Sequence, residues 1–188
     1  MMNHFGTRTI ETPRLILRQF TEQDAEPMFR NWANDPEVTK FLTWTPHPNV
    51  DVTRAIIKMW TDSYKDPEFY QWAIVPKDLG EPIGSISVVA MVNERNILSI
   101  GYCIGRKWWH QGITSEAFAA LIKFFFEEVV ANRIEARHNV NNPNSGKVMK
   151  KCGLSYEGTL RQAASDNTGL VDLSVWSILR SEYFGQKD

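Results

Sequence analysis

Cysteine is scarce in this chain: the 188 residues contain two thiols, Cys103 and Cys152, far apart and without metal-ligand spacing. A disulfide scaffold and a thiolate metal centre are thereby excluded, and both thiols read as packing residues in a reduced cytoplasmic protein. The four histidines, His4, His47, His110 and His138, stand at neither paired nor helical spacing, so no metal is expected. Excess charge is also missing. Against 21 basic residues stand 22 acidic ones, and a net charge of −1 gives no bulk attraction to nucleic acid or to an anionic membrane. Uncharged apolar runs are short: the most apolar stretch, residues 117–130, is broken by Lys123, Glu127 and Glu128, and residues 1–10 lack the apolar core of a signal peptide. No direct nucleic-acid contact and no membrane span are therefore expected.

The common nucleotide loops are absent too. A phosphate loop of the ATPase type needs Lys-Ser or Lys-Thr after its last glycine, and Gly112 is followed by Ile113 and Thr114. The dinucleotide fingerprint needs three glycines at fixed offsets, which Gly101, Gly105 and Gly112 do not match.

What the chain does have is an apolar strand running through a glycine turn into a strongly apolar helix, over residues 101–117. The first N–H groups of a helix have no intrahelical partner and carry the positive end of the dipole, so this junction is built to receive an anion. Gly112 lets backbone approach it closely.

The periodicity predicts a strand over residues 13–20 and a helix from Thr21 through Trp32, with Thr21 and Asp24 at capping-box spacing. An irregular connection over 34–49 carries Pro36, Pro46 and Pro48. A helix over 51–64 follows, then strands over 70–75, 83–92 and 97–104. A buried helix over 115–130, a strand over 133–139, a helix over 143–152 and a C-terminal hairpin over 155–164 and 170–179 complete the order. The fold class is mixed α/β, of the α+β type, in one domain spanning residues 1–188, since no repeat or linker divides it.

Thr-Pro-Arg-Leu-Ile-Leu-Arg at 12–18, Trp-Ala-Ile at 72–74, Pro-Ile-Gly-Ser-Ile at 82–86, Ile-Gly-Tyr at 100–102, Trp-Trp-His-Gln-Gly at 108–112 and Ser-Glu-Ala at 115–117 occur in that order. Together with Asn-Pro-Asn-Ser at 142–145 and Lys-Cys-Gly at 151–153, they resemble the GNAT acetyltransferases over roughly residues 10–182. The branch they resemble most is the ribosomal-protein N-terminal acetyltransferases of the RimJ/RimL type. The resemblance implies a largely antiparallel sheet of about six to seven strands flanked by about four helices. It also implies acetyl-CoA as donor and a primary amine as acceptor, either a protein or peptide N-terminus or a small molecule.

By that resemblance the N–H groups of Gln111, Gly112, Ile113, Thr114 and Ser115 hold the coenzyme A pyrophosphate, and the strand ending at Ile104 pairs with pantetheine. The Ile104 N–H would face the thioester oxygen. Two departures from the family's turn are Trp109 at the first polar position and Thr114 at the small last one; Thr114 reads equally as a phosphate contact or as a helix N-cap. Arg106 and Lys107 read either as phosphate partners or as solvated charges. Asn142 is implied as a pantetheine ligand and Ser145 as a proton donor or hydrogen-bond donor to the leaving thiolate, although both are also ordinary capping residues. Met149 stands where many members of the superfamily place a tyrosine acid.

The base is not apparent. Ser99 and Ala164 occupy the two positions where relatives carry glutamate, and Asp166, Asp172 and Glu94 are only nearby in sequence. The acceptor groove is expected from the connection after the first helix, with Trp44 and His47, and from the C-terminal hairpin. Three readings stay open: transfer to an α-amine, transfer to a small amine such as a polyamine, an amino acid analogue or an antibiotic, and a non-catalytic acyl-CoA sensor. A monomer and a homodimer are equally compatible with the sequence.

Overall fold

The computed structural model describes residues 1–185. Its eight strands form one sheet in the order β1-β2-β3-β4-β5-β6-β8-β7. The strands are β1 (Ile10–Glu11), β2 (Leu15–Arg18), β3 (Gln71–Pro76), β4 (Gly84–Val92), β5 (Ile97–Ile104), β6 (Arg133–Asn139), β7 (Ser155–Asp166) and β8 (Gly169–Leu179). All neighbours pair antiparallel except β5 and β6, which are joined by a helical crossover and run parallel. The opening strand expected over 13–20 is β2, shorter at both ends, and a two-residue β1 that was not expected precedes it. The Thr12 N–H donates to the Leu15 carbonyl at 3.0 Å and turns the chain there, so the sheet gains one strand beyond the expected count.

β3 is a continuous apolar run and is buried along its whole length, because helices cover both faces of the sheet. Trp72 and Ile74 point into one core with α4 (Ile113–Phe124), and Ala73 and Val75 into a second with α1 (Ala25–Met28) and α3 (Val50–Ser63). In the first core Tyr70 stacks on Trp72 at 5.6 Å, and Phe124 and Phe125 each meet the indole edge-on at 6.0 Å.

The Thr21 capping box forms as the spacing predicts, with Asp24 in its third position. It opens a 3-10 turn that passes through α1 into a π turn at Phe29–Ala33. The connection over 34–49 is less irregular than expected. Asp35 caps α2 (Pro36–Thr39) by accepting from the Glu37 N–H at 2.9 Å, with Pro36 in the first turn where its missing N–H costs nothing. A π turn likewise extends α4 over Phe125–Val129. The remaining helices are α5 (Pro143–Lys151) and a short α6 (Arg180–Gly185), which follows the last strand and was not expected from the sequence. Among the described residues no helix is long and apolar enough to cross a membrane.

Candidate active site

β5 and β6 pair only from Ile97 with Arg133 to Ser99 with Glu135, and then part. β6 continues on β8, while β5 continues on β4 alone. The Gly105 N–H donates to the Ile83 carbonyl at 2.8 Å, which sets the alternation of the β4–β5 ladder. Residues 104 and 102 thus turn their own N–H and C=O groups away from β4 and into the opening. The Ile104 carbonyl is taken by the Trp109 indole N–H at 2.9 Å, and the Ile104 N–H faces the gap.

A cleft of about 520 Å³ occupies this gap. It is lined by the free half of β5, by residues 112–115 at the start of α4, by Asn142 and Ser145 at the start of α5, and by residues 37, 38 and 40–42 after the first helices.

Gly112 is the N-cap of α4, at φ 74°, a left-handed conformation that glycine adopts without strain. The helix therefore starts at Ile113, two residues before the expected Ser115, and Thr114 lies inside the first turn rather than capping it. Glu116 donates the first helical bond to the Gly112 carbonyl, so the N–H groups of Ile113, Thr114 and Ser115 precede the ladder. A β-carbon on Gly112 would lie 3.5 Å from Lys151 Nζ and 3.7 Å from an Arg14 guanidinium nitrogen. Two cations thus flank the turn. Arg14 is fixed by Glu116, whose Oε2 accepts from Arg14 Nε at 2.6 Å while its Oε1 accepts from the Thr12 hydroxyl. Burial pushes the Glu116 pKa up, but these donors outweigh it and hold the carboxyl below its ordinary range. Arg14 also donates to the Gln111 carbonyl at 3.1 Å.

At the other helix, Asn142 donates from Nδ2 to the Ser145 hydroxyl oxygen at 3.2 Å, leaving the hydroxyl proton free to point elsewhere. The Tyr102 hydroxyl donates to the Ser145 carbonyl at 3.0 Å and ties α5 to β5. Burial raises the Tyr102 pKa well above the phenol range, so the hydroxyl stays a donor. Burial also pushes the Cys152 thiol up to about 12, and its S–H donates to the Ser115 carbonyl.

Of the residues expected in the site, Ile104, Gly112, Ile113, Thr114, Ser115, Asn142 and Ser145 come together around the cleft. Gln111 is adjacent, but its side chain bonds the Lys107 carbonyl at 2.9 Å. Arg106 turns away to an ion pair with Asp35 at 3.1 Å. The place beside the turn that was expected for Arg106 and Lys107 belongs to Arg14 and Lys151, which lie far from it in sequence. Trp44 and His47 pack on each other at 5.2 Å rather than lining the cleft, and His47 Nδ1 meets the Thr53 hydroxyl at 2.8 Å. Burial lowers the His47 pKa. The wall expected to face the acceptor is formed instead by Glu37, Val38, Lys40, Phe41 and Leu42, because the α2 cap redirects the chain there. The C-terminal hairpin supports that wall from behind: Asn167 donates from its amide to the Thr39 and Trp44 carbonyls at 2.9 and 2.8 Å.

Asp166 accepts from Asn139 at 2.7 Å and from Thr168, and Asp172 accepts from the Gln162 N–H, so both are used in the hairpin. The Ser99 position does meet a carboxylate, but a borrowed one: its hydroxyl donates to Glu135 on the neighbouring strand at 2.8 Å. Among the described residues, the one carboxylate that lines the cleft is Glu37.

The family model of the GNAT acetyltransferase domain matches residues 14–155. The chain is 34% identical over 94% of its length to an uncharacterized N-acetyltransferase, p20, of Bacillus licheniformis, covering 99% of that protein. It is 25% identical over 84% of its length to the L-amino acid N-acetyltransferase AaaT of Escherichia coli, covering 93% of it. In fold it matches a ribosomal L7/L12 alpha-N-protein acetyltransferase solved with coenzyme A, at a TM-score of 0.82 and 20% identity, covering 93% of this chain and 99% of that one.

Proposed function

Because the chain belongs to the GNAT acetyltransferases and is an acetyl-CoA-dependent N-acetyltransferase, we propose that its cleft carries acetyl from acetyl-CoA directly to an α-amine. The observation that carries the reading is the parting of β5 from β6, which opens a free strand edge between the N-termini of two helices.

Each end of the donor has a complement there. The N–H groups of residues 112–115, with Arg14 and Lys151 beside them, suit the pyrophosphate. The edge at Tyr102 and Ile104 suits the amides of pantetheine. The amine nitrogen attacks the thioester carbon, a C–N bond forms and the C–S bond breaks. Negative charge that grows on the carbonyl oxygen meets the Ile104 N–H, a donor already in place. The Ser145 hydroxyl, oriented by Asn142, supplies its proton to the departing thiolate and takes one back from water as the thiol leaves. The proton shed by the amine passes through water to Glu37, the carboxylate on the acceptor wall.

With only the exposed Glu37 on that wall to take the proton, an acceptor that is easily neutralised is favoured. An α-amine with a pKa of about 8 is roughly one-tenth neutral at pH 7, whereas a lysine near 10.4 is neutral only a few times in ten thousand. The mixed charge of the acceptor wall also argues against a polyamine, which would call for an acidic groove.

The test is thiol release from acetyl-CoA with two peptides, one offering only an α-amine and the other, blocked at its N-terminus, only a lysine. The α-amine peptide is expected to react about tenfold faster or more. Faster lysine transfer overturns the reading, and tight acetyl-CoA binding without release from any amine would make the protein a sensor. A second expectation concerns the donor end. Lys151→Ala should raise KM for acetyl-CoA about tenfold, the loss of one charge-assisted bond, and the effect should shrink in high salt.

A further inference from the structure

The charges of the cleft are unevenly placed. Lys147 and Lys151 lie on α5, on the donor side, whereas Glu37, Lys40 and Arg137 remain on the acceptor side.

Arg137 occupies a particular place. β6 leaves β5 after Glu135, and the next side chain on that face of the strand is two residues on, at 137. It is thus the first side chain past the point where the strands part, it lines the cleft, and it is 48% exposed. One guanidinium nitrogen donates to Glu135 Oε1 at 3.0 Å. Glu135 is itself 8% exposed and is held by the Ser99 hydroxyl and by Arg133, so it is a fixed post for Arg137. Arg133 carries the second acid, Glu157, at the far side. A guanidinium has five N–H donors in a planar fork, and a single bond to Glu135 leaves enough of the fork to grip a planar anion by two bonds.

Resting on the α-amine reading, we propose that Arg137 binds a carboxylate carried by the acceptor a few bonds from its amine. The carboxylate is either the α-carboxylate of a free amino acid or an acidic side chain next to a peptide N-terminus. Lys40 adds to the attraction from the opposite wall.

The test compares kcat/KM for L-phenylalanine with that for its amide, and for a peptide with aspartate in the second place with its asparagine counterpart. Whichever pair contains the natural source should favour the acid by about tenfold to a hundredfold. Arg137→Gln should bring that ratio close to one, and Arg137→Lys should keep part of it. A wild-type ratio near one in both pairs, or an R137Q loss that is equal for acid and amide, overturns the proposal. A separate measurement does not depend on turnover: calorimetric binding of N-acetyl-L-phenylalanine and of N-acetyl-L-phenylalaninamide, and of the two N-acetylated peptides, to the protein with coenzyme A. Tighter binding of an acid in a protein that acetylates only lysine sustains the carboxylate site and overturns only the α-amine reading. Equal binding of acid and amide in both pairs overturns the site itself.

Discussion

Ile104→Pro should lower kcat by about a hundredfold to a thousandfold, the loss of one oxyanion donor, or about 2.7–4 kcal/mol of transition-state stabilisation. The substitution is specific because of where the backbone points. The β4–β5 ladder uses the N–H groups of residues 103 and 105, so a proline at 104 removes no sheet hydrogen bond. Residue 104 is also the last of its strand, and Cys103 before it is already extended, as the residue preceding a proline prefers. The Ile104 carbonyl stays available to Trp109. Thermal unfolding and acetyl-CoA binding measured on the same variant separate a damaged fold or a blocked cleft from a lost donor. A folded variant that binds acetyl-CoA and keeps kcat within tenfold of wild type would remove the Ile104 N–H from the mechanism.

Trp72→Ala should destabilise the protein by about 3–5 kcal/mol, the range for truncating a large buried aromatic. The indole is fully buried, lies between Tyr70 and the pair Phe124 and Phe125, and donates from Nε1 to the Arg8 carbonyl at 2.6 Å. Its removal leaves a cavity under α4 and an unpaired carbonyl in the segment before β1. For a chain of this size each kcal/mol is worth about 2–4 °C, so the melting temperature should fall by roughly 6–20 °C. Trp72→Phe should cost less, since it keeps most of the volume and loses only the hydrogen bond. A fall of under about 1 kcal/mol for the alanine variant would mean that this aromatic group is not the centre of the core.

Most of the order of elements was readable because those strands and helices announce themselves locally, by alternation in β2, by the apolar run in β3 and by the capping box at Thr21; the short β1, α2 and α6 carry too few residues to show a period. The anion turn was readable for the same reason, since Gly112 and the helix it begins are consecutive in sequence. Its cations were not. Arg14 and Lys151 reach Gly112 from the bend before β2 at one end of the chain and from a helix near the other, and no local spacing encodes that meeting. Arg106, next to the turn, was the natural expectation, but Asp35 captures it.

The acceptor wall shows the same division. Pro36, Pro46 and Pro48 suggested an irregular segment presenting its aromatics, whereas the Asp35 cap with Pro36 in the first helical position makes α2 and turns Trp44 inward against His47. Position 99 shows the converse. A missing glutamate was plain in the sequence, but the hydrogen bond from Ser99 to the buried Glu135 depends on the register of two strands separated by all of α4.

The bracing of the acceptor wall by Asn167 limits how this enzyme could be redesigned. A graft of residues 35–49 from a relative would move the Thr39 and Trp44 carbonyls away from an amide that donates to both, and would loosen the tip of the hairpin along with the loop. The two segments, residues 35–49 and 164–170, therefore have to be transplanted together, and a chimera carrying either one alone should be the less stable protein.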